Sequence, residues 1–253
     1  MDKKVLPFSS LGADKHQLSE SVAMHLREQI ISGKLHAGQF LRIDAIAKEL
    51  RVSTTPVREG LLLLQSDAFV RLLPRRGFVV NGFSQTDLRD LFWAQGIIGA
   101  ELAARAATRM SKDDLARLAG LHTGHERAVA AGDIDAAARL GHQFHRTINV
   151  AAGSPRLALL LGTLTKQLPN RFYASVEGVL QHTVHDHRVI LDALRLGAED
   201  AVKSLMQRHI SSGVDYLIAS LERQGAWAGP KSDPRPTKRP RATAAKPKRA
   251  ARR

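Results

Sequence analysis

Apolar residues recur every three or four positions along most of this chain, and the few places where that rhythm breaks define its parts. Near residue 45, Ala45, Ile46, Ala47 and Leu50 mark one face of a short helix, with Asp44 as its N-cap. Arg51-Val52 interrupts the run. Ser53 then caps a second helix. Pro56 is confined to its first turn, where a missing N–H does no harm, and Val57, Leu61, Leu62 and Leu64 form the buried side. Thr54, Thr55 and Arg58 fall on the polar side near its start. Gly60 sits mid-helix, where it should cost about 1 kcal/mol relative to Ala. Val70–Leu73 and Phe78–Val80 alternate like strands around Pro74-Arg75-Arg76-Gly77, a two-stranded hairpin with a basic tip. A helix with an exposed polar N-terminus, followed by a basic hairpin, has the shape to enter a DNA major groove and brace on the backbone.

After Val80 the rhythm becomes helical throughout. Asn81-Gly82 reads as a turn, and Ser84 with Asp87 reads as a capping box. Leu88, Leu91, Phe92, Gln95, Ile98, Leu102 and Ala106 continue the spacing towards Met110. Ser111 opens another helix, with Leu115, Leu118, Leu121 and Val129 inward, until Gly132. Further helices are expected from Ile134 through Ala151, from Leu157 to Leu168, from Val179 to Leu196 and from Glu199 to Arg223, with a looser stretch up to Gly178. No strand pattern or repeat competes. The fold expected is mainly α: an N-terminal winged helix-turn-helix of three helices and a β-hairpin wing, then a C-terminal antiparallel α-helical bundle. The expected parts are a flexible N-terminus at 1–17, a DNA-binding domain at 18–81, an all-helical effector-binding and dimerisation domain at 84–223, and a disordered basic tail at 226–253.

Charge sharpens this division. The chain of 253 residues carries a net +14, yet the segment from Ala226 onward holds ten Lys and Arg against Asp233 alone, with half of the ten prolines. Such a composition cannot bury enough apolar surface to order itself. Beside a DNA-reading module it suits sequence-independent contact with phosphates. As a coil it would reach about 30 Å, near one turn of duplex. There is no Cys, which excludes disulfides and thiolate metal sites. No apolar run approaches the ~20 residues of a membrane span, and the start MDKKVLPFSS lacks a signal peptide's apolar stretch. A cytoplasmic location with no membrane partner is the expectation.

From Leu18 to Val80 the stretches LREQIISGKLHAGQFLRIDAIAKEL, VSTTPVREGL and RRGFVV resemble the winged helix-turn-helix of GntR-family transcriptional regulators. The resemblance implies that Ser53, Thr54, Thr55 and Arg58 contact an operator in double-stranded DNA, with Arg75, Arg76 and Gly77 of the wing. Arg42, just ahead of the second helix, is a further phosphate candidate on charge and position. Thr54 departs from the family, which often has Arg there, so one bidentate contact to guanine is absent. The stretches FHRTINVAAGSPRL, HRVILDAL with GAEDA, and MQRHI resemble the FCD-type effector domain of FadR-like GntR regulators. That resemblance, covering residues 18 to 223 in all, implies a homodimer. It also implies a small-molecule effector, a small organic acid or related metabolite, held in the bundle, often over a metal ion.

Eight of the eleven histidines lie between positions 122 and 209. The resemblance implies that His145, His187 and His209, each on a different helix, are ligands of a divalent metal such as Zn²⁺ or Ni²⁺. Neutral imidazoles from facing helices can converge in a bundle core and leave positions for a ligand. Gly141 stands where the family usually has Asp or Asn, and His142 is the candidate fourth ligand in its place. The stretch FWAQGIIGAE has no Arg where relatives often carry one for a ligand carboxylate, which opens the site to a neutral or aromatic compound as well as an organic acid. Thr147, Asn149, Arg171, Tyr173 and Arg188 are polar groups near the expected cavity, without individual roles. His182 and His185 read as solvated, Trp93 as core or interface, and Trp227 as partly exposed. The expected function is a ligand-responsive, non-enzymatic transcriptional regulator, in this family more often a repressor, on a pseudo-palindromic operator. The rivals are a sequence-tolerant architectural DNA-binding protein and a metal-dependent hydrolase. The hydrolase lacks any carboxylate at the spacing of a helical metalloprotease motif.

Overall fold

A computed structural model describes residues 15–168 and 179–227. The first fourteen residues, the stretch holding Arg171 and Tyr173, and the chain beyond Trp227 lie outside the described residues. In chain order the elements are α1 Lys15–Ile31, β1 Phe40–Leu41, α2 Ile43–Leu50, α3 Thr54–Ser66, β2 Val70–Leu73 and β3 Gly77–Val80. The larger helices follow: α4 Gln85–Ala107, α5 Lys112–Ala130, α6 Ile134–Ala151, α7 Pro155–Lys166, α8 Val179–Arg195 and α9 Glu199–Arg223. The chain is mainly α, as the periodicity predicts.

The N-terminal part is built around α3. Val57, Leu61 and Leu64 are fully buried, whereas Leu62 is 48% exposed, because α1 covers only one line of the helix. Ala45 is likewise exposed, so Ile46, Ala47 and Leu50, with partly buried Ile43, anchor α2. Ser53 is the N-cap of α3, but Arg42 rather than Asp44 precedes α2. The reason is β1. It keeps the chain extended through Arg42 and starts the helix early, leaving Asp44 in the first turn where its charge suits the helix dipole. The wing is also larger than a hairpin. Three strands pair antiparallel in the order β1-β3-β2, and Phe78, Val79 and Val80 of the central strand are all buried instead of alternating.

At Gly60 the backbones of α1 and α3 nearly touch. A Cβ there would lie 2.9 Å from the Ser19 carbonyl oxygen and 3.2 Å from the Ala23 nitrogen, both backbone atoms that cannot swing aside. Gly60→Ala should therefore destabilise the protein by about 1–3 kcal/mol. Propensity alone would give a gain of about 1 kcal/mol. Urea unfolding of the two proteins distinguishes these signs.

Asn81 does not form a turn. Its side chain donates to the Ala68 carbonyl at 2.7 Å and accepts from Arg71 at 2.9 Å, clamping the exit from the wing. The capping boxes Ser84–Asp87 and Ser111–Asp114 then start α4 and α5. α4 and α9 run antiparallel. Gln85 binds Glu222, Arg89 binds Asp215 and Glu101 binds Lys203 along the pair, and Gly99 lets Ile210 of α9 approach closely. One apolar core fills the bundle, from Leu102, Leu118, Phe144, Ile148, Ile190, Leu194 and Met206. The other does not respect the expected domain boundary. Val22, Leu61, Leu64 and Val80 share it with Leu88 and Phe92 of α4 and with Val214, Leu217, Ile218 and Leu221 of α9. Trp227, partly buried, closes this junction by donating its indole N–H to the Phe83 carbonyl at 3.0 Å.

Candidate nucleic-acid interface and metal centre

The start of α3 faces solvent. Ser53, Thr54, Thr55 and Arg58 are exposed, while Pro56 and Val57 beside them point inward. Arg42, Arg75 and Arg76 are exposed as well, and Gly77 partly so. Among the described residues no carboxylate pairs with Arg42, Arg58 or Arg75. These cations are therefore available to an external anion. At the wing tip Leu73 accepts from the Arg76 N–H at 3.0 Å, closing a turn with Pro74 and Arg75 at its centre. Arg75 sits there at φ 61°, a left-handed conformation that glycine would adopt without strain. Retaining a long cation at such a position is a cost that phosphate contact would explain. Arg76 is held differently, with its guanidinium 5.3 Å from the centre of the Phe40 ring on β1.

The second candidate site lies inside the bundle. α6, α8 and α9 bring His145, His187 and His209 together so that one nitrogen from each falls within 4.8 Å of the others. The contacts are between like atoms: His145 Nε2 is 3.2 Å from His187 Nε2 and 3.2 Å from His209 Nε2. His209 Nδ1 lies 3.0 Å from Asp186 Oδ2, so the carboxylate fixes the proton on Nδ1 and leaves a lone pair on Nε2. A single proton on His145 cannot serve both of its neighbours. A cation accepting all three lone pairs satisfies them together. With metal–nitrogen bonds of about 2.0–2.1 Å, two ligands of a tetrahedral ion stand roughly 3.3–3.4 Å apart, close to the separation here. The residues thus fit a divalent ion.

Their protonation suits it too. Burial, and then the neighbouring imidazoles, push His145 and His187 well below the ordinary histidine range, so both are neutral with lone pairs free. The hydrogen bond from His209 holds Asp186 below the usual carboxylate value and keeps it an acceptor.

His142 is not part of this group. It is exposed, three residues before His145 on α6. The inward imidazoles on the neighbouring helix are His122 and His125, buried on α5. They share one face with Leu118 and Val129 at spacings of four, three and four, a signal present in the sequence that marks them as core-facing. Burial, then the charges of His122 and His209, push His125 down to about 4. Asp186, the orienting carboxylate, had no signal beyond adjacency to His187. Of the other polar groups, Arg188 is exposed, and Thr147 and Asn149 are half-buried. His182 and His185 are exposed, and Trp93, at 66% exposure, is not core.

A family model described as bacterial regulatory proteins, gntR family, matches residues 18–80, and one described as FCD domain matches residues 90–212. The gluconate operon transcriptional repressor of Bacillus licheniformis is 26% identical over 79% of this chain and 84% of that protein. Its Bacillus subtilis (strain 168) namesake is 35% identical, but the match spans only 36% of this chain and 37% of that repressor. The HTH-type transcriptional regulator McbR of Escherichia coli (strain K12) is 24% identical over 79% of this chain and 95% of its own length. The solved structure of E. coli McbR/YncC resembles this fold with a TM-score of 0.60 at 22% identity, covering 82% of this chain and 98% of that one. No helix among the described residues is long and apolar enough to cross a membrane.

Proposed function

Because the chain belongs to the gntR family of bacterial regulatory proteins and joins that DNA-binding domain to an FCD domain, it is a transcriptional regulator, and we propose that it acts as a homodimeric, metal-assisted sensor. In this reading two reading heads related by a two-fold axis bind a pseudo-palindromic operator, whose symmetry mirrors the protein's. Thr54, Thr55 and Arg58 address base edges. Arg42, Arg75, Arg76, Ser53 and Gly77 brace the sugar–phosphate backbone. His145, His187 and His209 hold a borderline divalent ion such as Zn²⁺ or Ni²⁺, which when bound supplies an electropositive anchor for one donor atom of a small effector. Repression is the favoured sign, since two relatives bear the name of a transcriptional repressor. The basic residues after Trp227 add attraction to any duplex.

One observation carries the sensor reading. α9 contributes His209 to the imidazole cluster and, further along the same helix, Leu217, Ile218 and Leu221 to the core beneath the reading head. A ligand that favours one position of α9 therefore favours one arrangement of the head. It can do so only by its difference in affinity for the two states.

Selection of operators from random duplex with the purified full chain tests this proposal, followed by binding titrations with and without Zn²⁺ and a panel of small acids and aromatics. A recovered pseudo-palindrome, bound by two chains and released about 5- to 150-fold by one compound, is the expected result. Equal affinity for recovered and random duplexes would favour an architectural DNA-coating protein instead.

A further inference from the structure

We propose that His125 is a fourth imidazole ligand of the metal centre, entering from α5 over Gly141. The proposal rests on the reading of His145, His187 and His209 as a metal site. It goes further in naming where the next donor comes from.

Three nitrogens from α6, α8 and α9 leave a divalent ion short of a full set, and a fourth imidazole still leaves a position for an effector donor when the ion expands to five-coordinate. His125 is the buried group positioned to supply that imidazole. Only 1% of its surface is exposed, and its Nδ1 has no hydrogen-bond partner among the described residues. A buried nitrogen left unpaired is costly, and the ring's other nitrogen, Nε2, is the one that faces the gap over Gly141. The Nδ1 of its neighbour His122 is unpartnered as well, but Nε2 there is already engaged, facing Glu126 Oε1 at 3.4 Å.

Gly141 explains how the ring reaches the centre. A Cβ at that position would stand 3.7 Å from His125 Nε2 and 3.9 Å from His187 Cε1, the atom bonded to the coordinating His187 Nε2. The two rings, 5.2 Å apart between centroids, therefore border one small space that exists because residue 141 has no side chain. The nitrogens of His125 lie outside the 4.8 Å group formed by the other three. Binding draws the ring inward across the gap above Gly141. The completed set is four neutral imidazoles with no protein carboxylate on the ion. Such a set favours Zn²⁺, Ni²⁺ or Cu²⁺ over Mg²⁺, Ca²⁺ or Mn²⁺, which seek oxygen donors.

The test uses the full chain, stripped by chelator and reloaded with Zn²⁺ for affinity or Co²⁺ for its visible spectrum. His125→Leu is expected to weaken Zn²⁺ by about 10-fold or more, and to change the Co²⁺ absorption as water replaces a nitrogen. Gly141→Val leaves His125 intact and fills the gap, so the same two changes are expected; this second variant decides the matter if His125→Leu fails to fold. Wild-type affinity and spectrum in both variants would overturn the proposal while His145→Ala still loses metal. If the wild-type protein takes up neither ion, the three-imidazole reading fails and this inference fails with it.

Discussion

If the three imidazoles hold a divalent ion as proposed, alanine at position 145 should abolish its binding. His145 is the hub of the cluster, since its Nε2 is 3.2 Å from the Nε2 of His187 and 3.2 Å from the Nε2 of His209. Removing it takes away one donor and the edge shared by both pairs, so affinity should fall by more than about 100-fold. Asp186→Asn supplies the internal comparison. Asp186 touches no ion; it accepts from His209 Nδ1 and so orients that ring and holds its lone pair inward. Loss of an orienting partner of this kind weakens metal binding by about 10–100-fold. Competition with a chromophoric chelator at neutral pH measures both variants. Equal retention of Zn²⁺ by His145→Ala and wild type would remove the ion from this site.

Arg58→Ala should abolish most of the choice between DNA sequences. Arg58 stands exposed near the N-terminus of α3 without an acidic partner among the described residues, so its removal leaves no internal charge unpaired. A lost bidentate base contact costs about 1–3 kcal/mol, and a two-fold operator counts it twice. Affinity for a selected operator should therefore drop by roughly 30-fold or more, while affinity for random duplex changes little. Arg75→Ala should behave in the opposite way, weakening both duplexes alike and flattening the salt dependence. Anisotropy titrations at two salt concentrations separate the patterns. Parallel losses on both duplexes for Arg58→Ala would reassign that residue from bases to backbone.

Much of this architecture is legible in the sequence because its signals are local. The Ser84–Asp87 and Ser111–Asp114 boxes are complete within four residues, and the spans of α6 and α9 can be read directly from their spacing. What escapes reading depends on a distant partner. β1 is two residues whose only pairing is with β3, almost forty positions later, and its presence moves the start of α2. Gly60 looks like a weak point until the backbone of α1 is known to lie on it. The imidazole cluster has the same character. Separations of 42 and 64 residues carry no periodicity, so only resemblance singles out His145, His187 and His209. Choosing between His142 and His125 needed the packing of α5 on α6, although the line Leu118, His122, His125, Val129 already turned His125 inward.

The core that joins Val22, Leu61 and Val80 to Leu88, Phe92, Leu217 and Leu221 has a consequence for how the protein denatures. A reading head tethered by a bare linker would melt by itself, at a temperature indifferent to anything bound in the bundle. Here the head cannot shed its interior without uncovering the ends of α4 and α9, so calorimetry should record one transition rather than two. Saturating Zn²⁺ should raise that single midpoint by mass action, carrying the DNA-reading half to higher temperature with an ion it never touches.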